Sequence, residues 1–138
     1  MAIVGARRRR QGTGEYIARE FARCGCDIRA IVGTTEQSIE LARAALRQRY
    51  GIHCRGFTSL AALLDAASID IVAICSPSYA HRAQLDVAAE AGCHVFCEKP
   101  LWWDDALTSH TAAADDVRRH AERLLRRFVQ QHRYLGLN

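Results

Sequence analysis

The chain has 138 residues, a formal net charge of +4, 49% apolar residues and 25% charged residues, which is the make-up of one soluble globular domain with a real core. No apolar run approaches the ~20 residues that cross a bilayer, and the N-terminus lacks the apolar stretch of a secretory signal, so the chain reads as cytoplasmic and not membrane-bound. The positive charge is local, in Arg7, Arg8, Arg9 and Arg10 and again between Arg118 and Arg133, and it is too modest for a general nucleic-acid composition.

Ala2-Ile3-Val4-Gly5 reads as a short buried strand that opens into a glycine-containing loop ending at Gly12-Thr13-Gly14. Ile17, Ala18, Phe21 and Ala22 then give a helical period, and Gly25 is expected as a left-handed cap. Residues 28–32 form a second apolar strand. Thr34 and Gln37 stand at capping-box spacing before a helix carried by Ile39, Ala42, Ala45 and Leu46, which Gly51 stops. His53-Cys54-Arg55 is expected as a short third strand, and Ser59 as the cap of a short helix through Leu60, Leu63 and Leu64. Residues 69–75 are nearly continuous in β-branched side chains, as a strand buried on both faces should be. Ser76-Pro77-Ser78 breaks this strand, and a helix is expected over residues 79–91. Residues 93–97 form a fifth strand. A last amphipathic helix runs through Val117, Ala121, Leu124, Leu125, Phe128 and Val129, and residues 133–138 begin another strand.

Strand and helix alternate about five times, which predicts an α/β fold with a doubly wound parallel sheet between two helical layers. Ligands in that architecture bind beyond the carboxyl ends of the strands, where the strand order reverses. The loops at Gly5–Gly14, at Gly33-Thr34-Thr35, at Ser76–His81 and at Glu98-Lys99-Pro100 all fall at such ends.

The first of these loops has the position of a phosphate cradle, where backbone N–H groups approach a pyrophosphate at a helix N-terminus. Gly5, Gly12 and Gly14 supply the glycines, Thr13 stands between the last two, and Arg7 occupies the second-glycine position counted from Gly5. The loop is equally readable as a tight turn with a solvated basic face. A site selective for NAD usually carries a carboxylate at the end of the second strand. Thr34 and Thr35 stand there instead, which together with the nearby arginines leans towards NADP over NAD. Thr34 also reads simply as a helix cap. His81 is open to substrate contact or to packing, and Trp102 and Trp103 to the core or to a subunit contact. Nothing aromatic interleaves the arginine run, so nucleic acid is not an expected partner. The six cysteines lack paired zinc-ribbon spacing, so no metal site is expected, and Cys75, Cys93 and Cys97, in or beside apolar runs, read as core residues.

Lys99 is the one lysine among nineteen basic residues. Arginine stays charged at every accessible pH, whereas lysine can give up a proton. The residue is readable as a surface lysine before a proline turn, or as a lysine kept for its chemistry.

Three stretches carry a resemblance. They are Ile71-Val72-Ala73-Ile74-Cys75-Ser76-Pro77, then His81, then Ala88 to Pro100 ending in Cys97-Glu98-Lys99-Pro100. At this spacing they resemble the N-terminal domain of the glucose–fructose oxidoreductase and inositol dehydrogenase family. The resemblance implies a Rossmann domain binding NAD or NADP, bordered by Ser76, Pro77 and Ser78, with His81 and Pro100 also among the expected cofactor contacts. Glu98 would hold the loop and the ribose side. Lys99 would lie near the nicotinamide and the reacting hydroxyl of a sugar, cyclitol or related substrate. Family members continue into a second α/β domain that carries much of the substrate site. The chain is thus expected to be the cofactor domain over residues 1–138, with little turnover alone and with a homo-oligomer left open. The alternative is a non-enzymatic Rossmann module that senses a nucleotide or pairs with another subunit.

Overall fold

The computed structural model describes residues 1–7, 13–103 and 111–138. Gly12 and Arg8 to Arg10 lie outside the described residues. Among the described residues six strands form one parallel sheet: β1 (Ala2–Val4), β2 (Ala30–Val32), β3 (Arg55–Phe57), β4 (Ile71–Ile74), β5 (His94–Cys97) and β6 (Leu135–Leu137). Their spatial order is β3-β2-β1-β4-β5-β6. The order therefore reverses between β1 and β4, and the crevice expected of a doubly wound sheet opens there.

Side chains alternate along each strand, so one strand feeds two cores. Ala2, Val4, Val32, Val72, Ile74, Val95 and Cys97 face one cluster, with Leu63, Leu85, Leu124 and Phe128. Ile3, Ile31 and Ala73 face the other, with Ala18, Ile39 and Leu46. Helices α3 (Leu60–Ala66), α4 (His81–Glu90) and α5 (Thr111–Gln130) thus cover one face, and α1 (Gly14–Arg23) and α2 (Glu36–Tyr50) cover the other. This is the expected three-layer α/β/α Rossmann arrangement. No helix among the described residues is long and apolar enough to cross a membrane.

Several boundaries differ from expectation. The third strand is residues 55–57 rather than 53–55. It carries Gly56, where a Cβ would stand 2.1 Å from Cγ2 of Ile39. Glycine lets α2 lie close against the strand, at the loss of any β-branched signal. The cap of α2 is Thr35, not Thr34. Thr35 is extended (φ −144°, ψ 151°), its hydroxyl accepts from the Ser38 N–H at 3.1 Å, and Ser38 Oγ accepts from the Thr35 N–H at 3.2 Å. Serine closes the box, which releases Gln37. The helix expected from residue 79 begins with a 3₁₀ turn, Ser78–Ala80, and turns α-helical at His81. Strands β2 and β4 are each shorter than their apolar runs. Gly25 has φ +87° as expected, and Ser59 caps α3 by accepting from the Ala62 N–H at 3.3 Å.

Candidate functional site

The carboxyl ends of β1, β2, β4 and β5 surround a crevice of about 830 Å³. A smaller hollow of about 190 Å³ beside Arg43, Arg47 and Cys54 lies before β3, away from those ends. The fold's ligand rule and the convergence of loops both point to the larger one.

Gly5 turns the chain over the β4 end with φ +81°. A Cβ on Gly5 would stand 2.8 Å from the backbone of Cys75 and of Ser76. Gly14 opens α1 directly beneath it, where a Cβ would meet the Gly5 carbonyl oxygen at 2.5 Å. The two glycines bring the N-terminus of α1 against the end of β1, and Thr13 at its N-cap lines the crevice. Glu15 in that turn would repel an anion. It is instead buried and turned towards α2, accepting from Arg49 Nη1 at 2.8 Å and from the Tyr50 hydroxyl at 3.2 Å. The Glu15 carboxylate in turn raises the Arg49 pKa.

The remaining wall is built from three loops. After β2 come Gly33, Thr34, Thr35 and Gln37, with no carboxylate among the lining residues there. After β4 come Cys75, Ser76 and Pro77, and the Ser76 hydroxyl donates to Gln84 Oε1 at 2.6 Å. After β5 come Glu98 and Lys99. Glu98 accepts from the Asn138 side-chain amide at 2.9 Å, and Lys99 is exposed on the rim. The Lys99–Pro100 peptide is cis.

This geometry and the sequence agree on the family. Residues 1–132 match the GFO_IDH_MocA family model, described as an oxidoreductase family with an NAD-binding Rossmann fold. The chain belongs to that family. It is 33% identical over 91 residues to the UDP-N-acetylglucosamine 3-dehydrogenase of Acidithiobacillus ferrooxidans, a match covering 66% of this chain and 26% of that protein. It is 43% identical over 56 residues to the D-glucoside 3-dehydrogenase of Escherichia coli, covering 41% and 16% respectively. Its fold is shared with the scyllo-inositol dehydrogenase of Lactobacillus casei, solved with bound NAD(H) and scyllo-inositol (TM-score 0.70, 23% identity, 99% of this chain and 35% of that one). The chain thus spans about a third of that solved relative, and its matches cover at most about a quarter of these two curated relatives.

Within this family domain, Gly5, Arg7, Thr13, Thr34, Thr35, Ser76, Pro77, Glu98 and Lys99 all line the one crevice. Gly14 supports it from beneath. Ser78, His81 and Pro100, expected as cofactor contacts, are not among the lining residues. Ser78 turns its carbonyl to the Trp103 N–H at 3.3 Å, and His81 is buried at 1% exposure with its ring facing backbone carbonyls, Pro100's among them. Trp102 is buried edge-on to His120, in the core rather than on the surface, and Trp103 is exposed. Gln37, Thr58, Tyr79 and Gln84 line the crevice as well, and sequence reasoning passed over them. Gln84 alone left a signal, a polar side chain among alanines and leucines three residues after His81.

Cys75 and Cys97 sit beside this site. Burial first, then the Glu98 carboxylate, pushes each thiol up to about 12; at Cys75 the neighbouring Cys97 adds to this and a hydrogen bond with Thr13 opposes it. Both stay protonated below that value, so neither supplies a thiolate near neutral pH. Iodoacetamide at pH 8 is expected to alkylate exposed Cys24, to leave buried Cys97 unmodified in the folded chain, and to label half-buried Cys75 far more slowly than Cys24, as read by peptide mass. Labelling of Cys97 at the Cys24 rate would contradict its burial.

Proposed function

We propose that this domain holds a nicotinamide dinucleotide across the crevice, NADP(H) ahead of NAD(H), and is the cofactor half of an oxidoreductase. The substrate class is a sugar, cyclitol or related compound with a secondary hydroxyl. The observation that carries the reading is the glycine cradle. Gly5 and Gly14 each lie where a Cβ would strike backbone, and they set a helix N-terminus under four converging loops.

In this reading Gly5, Thr13, Gly14 and the first turn of α1 receive the pyrophosphate, with Arg7 on the same wall. Thr34, Thr35 and Gln37 receive the adenosine ribose. The crevice-lining residues of the β2 end offer hydroxyl and amide groups without a carboxylate, Glu36 standing outside that lining, which accommodates a 2′-phosphate. The nicotinamide half then crosses to the β4 and β5 ends, against Ser76 and Pro77, with Glu98 and Lys99 beyond. When bound, the dinucleotide supplies hydride exchange with the substrate carbon. As the neutral amine Lys99 takes the proton of the reacting hydroxyl in oxidation and becomes the ammonium, and the ammonium returns a proton to the carbonyl oxygen in reduction. The curated relatives named above act on UDP-N-acetylglucosamine and on D-glucosides by name, which supports a sugar-like substrate. Their greater length supports a further substrate-binding part, and hence little turnover by residues 1–138 alone.

Thr34→Asp tests the cofactor assignment, because Thr34 is exposed and its replacement leaves the core intact. A carboxylate there repels a 2′-phosphate and accepts from a 2′-hydroxyl. NADPH affinity is expected to fall by about tenfold or more while NADH affinity holds or improves, followed by nicotinamide fluorescence. An unchanged ratio of the two would remove the adenosine ribose from Thr34.

A further inference from the structure

His81 is a buried polar side chain that the proposed cofactor chemistry does not use. It begins α4 and is 1% exposed. Its Nε2 lies 2.7 Å from the Ser76 carbonyl oxygen. Its Nδ1 lies 3.0 Å from the Pro100 carbonyl oxygen and 3.2 Å from that of Leu101, with Cys97 Sγ at 3.5 Å. The ring therefore stands between the loop after β4 and the loop after β5, which form two walls of the crevice.

Carbonyl oxygens only accept, so at these contacts the ring is the donor. The neutral ring donates to one side at a time, by tautomer, and the doubly protonated ring donates to both. These three carbonyls lie past the strand ends, beyond the sheet ladder, on partly buried loops, and the buried ring supplies a donor there. We infer that His81 is a positioning residue that clamps the Ser76 loop to the Lys99 loop and so fixes where the Lys99 backbone stands in the crevice. This rests on the proposed function only for the importance of Lys99. The held carbonyl is one residue beyond Lys99, whose ammonium stays exposed on the rim. The arrangement gives a mobile charged tip on a fixed base.

Three variants test the clamp. His81→Leu removes both donors, His81→Asn keeps an amide N–H where Nδ1 stands, and His81→Gln keeps one where Nε2 stands. Hydrogen–deuterium exchange of the whole chain reads the loop directly. In His81→Leu, exchange over residues 98–103 is expected to rise about tenfold, with little change over residues 28–33. His81→Asn should resemble the wild type over residues 98–103, and His81→Gln should resemble His81→Leu. If His81→Leu does not fold, the Asn and Gln variants decide the matter by the same comparison. A uniform rise across the sheet, no change at residues 98–103, or identical Asn and Gln variants would overturn the clamp.

Binding adds a second readout that lost stability alone does not give. His81→Leu should weaken NADPH and leave 2′-phospho-ADP-ribose, which lacks nicotinamide, unaffected; equal weakening of both would overturn the clamp. Failure of the wild-type chain to bind either ligand would count against the proposed function, and the exchange comparison would still decide the clamp.

Discussion

If the proposed function holds, replacing Lys99 with alanine lowers kcat by roughly 10²–10⁴-fold when this domain acts with its proposed substrate-binding part, the range of a positioned general acid–base group. Cofactor affinity should change little, because Lys99 stands exposed on the crevice rim, beyond the glycine cradle proposed to receive the phosphates. Lys99→Arg separates charge from proton transfer. Arginine keeps the positive charge but does not give up its proton, so this variant should be nearly as slow as alanine while binding cofactor normally. Rescue by arginine would make Lys99 an electrostatic contact only. Wild-type kcat in the alanine variant would take it out of the chemistry.

Gly14→Ala is expected to damage the glycine cradle severely. Its Cβ would meet three backbone atoms, the Gly5 carbonyl oxygen at 2.5 Å, the Ala6 Cα at 2.9 Å and the Gly5 carbonyl carbon at 3.0 Å. No flexible side chain is available to yield, so α1 must back away from β1. Overpacking of this kind costs about 2–3 kcal/mol, read as a lower urea midpoint with an unchanged slope. Dinucleotide binding should be lost with it, because the first turn of α1 would no longer reach the crevice. Gly25→Ala is the control. Gly25 has φ +87° but nothing within 4 Å of an added Cβ, so alanine there pays only the left-handed backbone penalty of about 1 kcal/mol and should leave binding intact. A Gly14→Ala variant as stable and as tightly binding as wild type would contradict the close packing.

Much of this was legible because a parallel strand buried on both faces leaves a plain trace. Ala2-Ile3-Val4 and Ile71-Val72-Ala73-Ile74 are apolar at every position because each residue meets one core or the other. The glycines at 5 and 14 were legible by place as a close turn between β1 and α1, open both to a phosphate cradle and to a tight turn alone. What escaped depends on contacts far apart in the chain. The ring of His81 meets carbonyls of residues 76, 100 and 101, and backbone carbonyls leave no mark in side-chain pattern. Strand β3 was displaced because Gly56 is set by the nearness of Ile39, a tertiary requirement. The cap of α2 shifted by one residue because serine and glutamine both close a capping box, and only the backbone turn at Thr35 selects between them.

The measurement that bears most directly on the dinucleotide crevice is a calorimetric titration of residues 1–138 with NADPH and with NADH, at low and at moderate salt. We expect saturable binding of both, tighter for NADPH, with the advantage shrinking as salt screens Arg7 and its neighbours. No saturable heat from either ligand, with circular dichroism showing the chain folded, would contradict a competent dinucleotide site in this crevice.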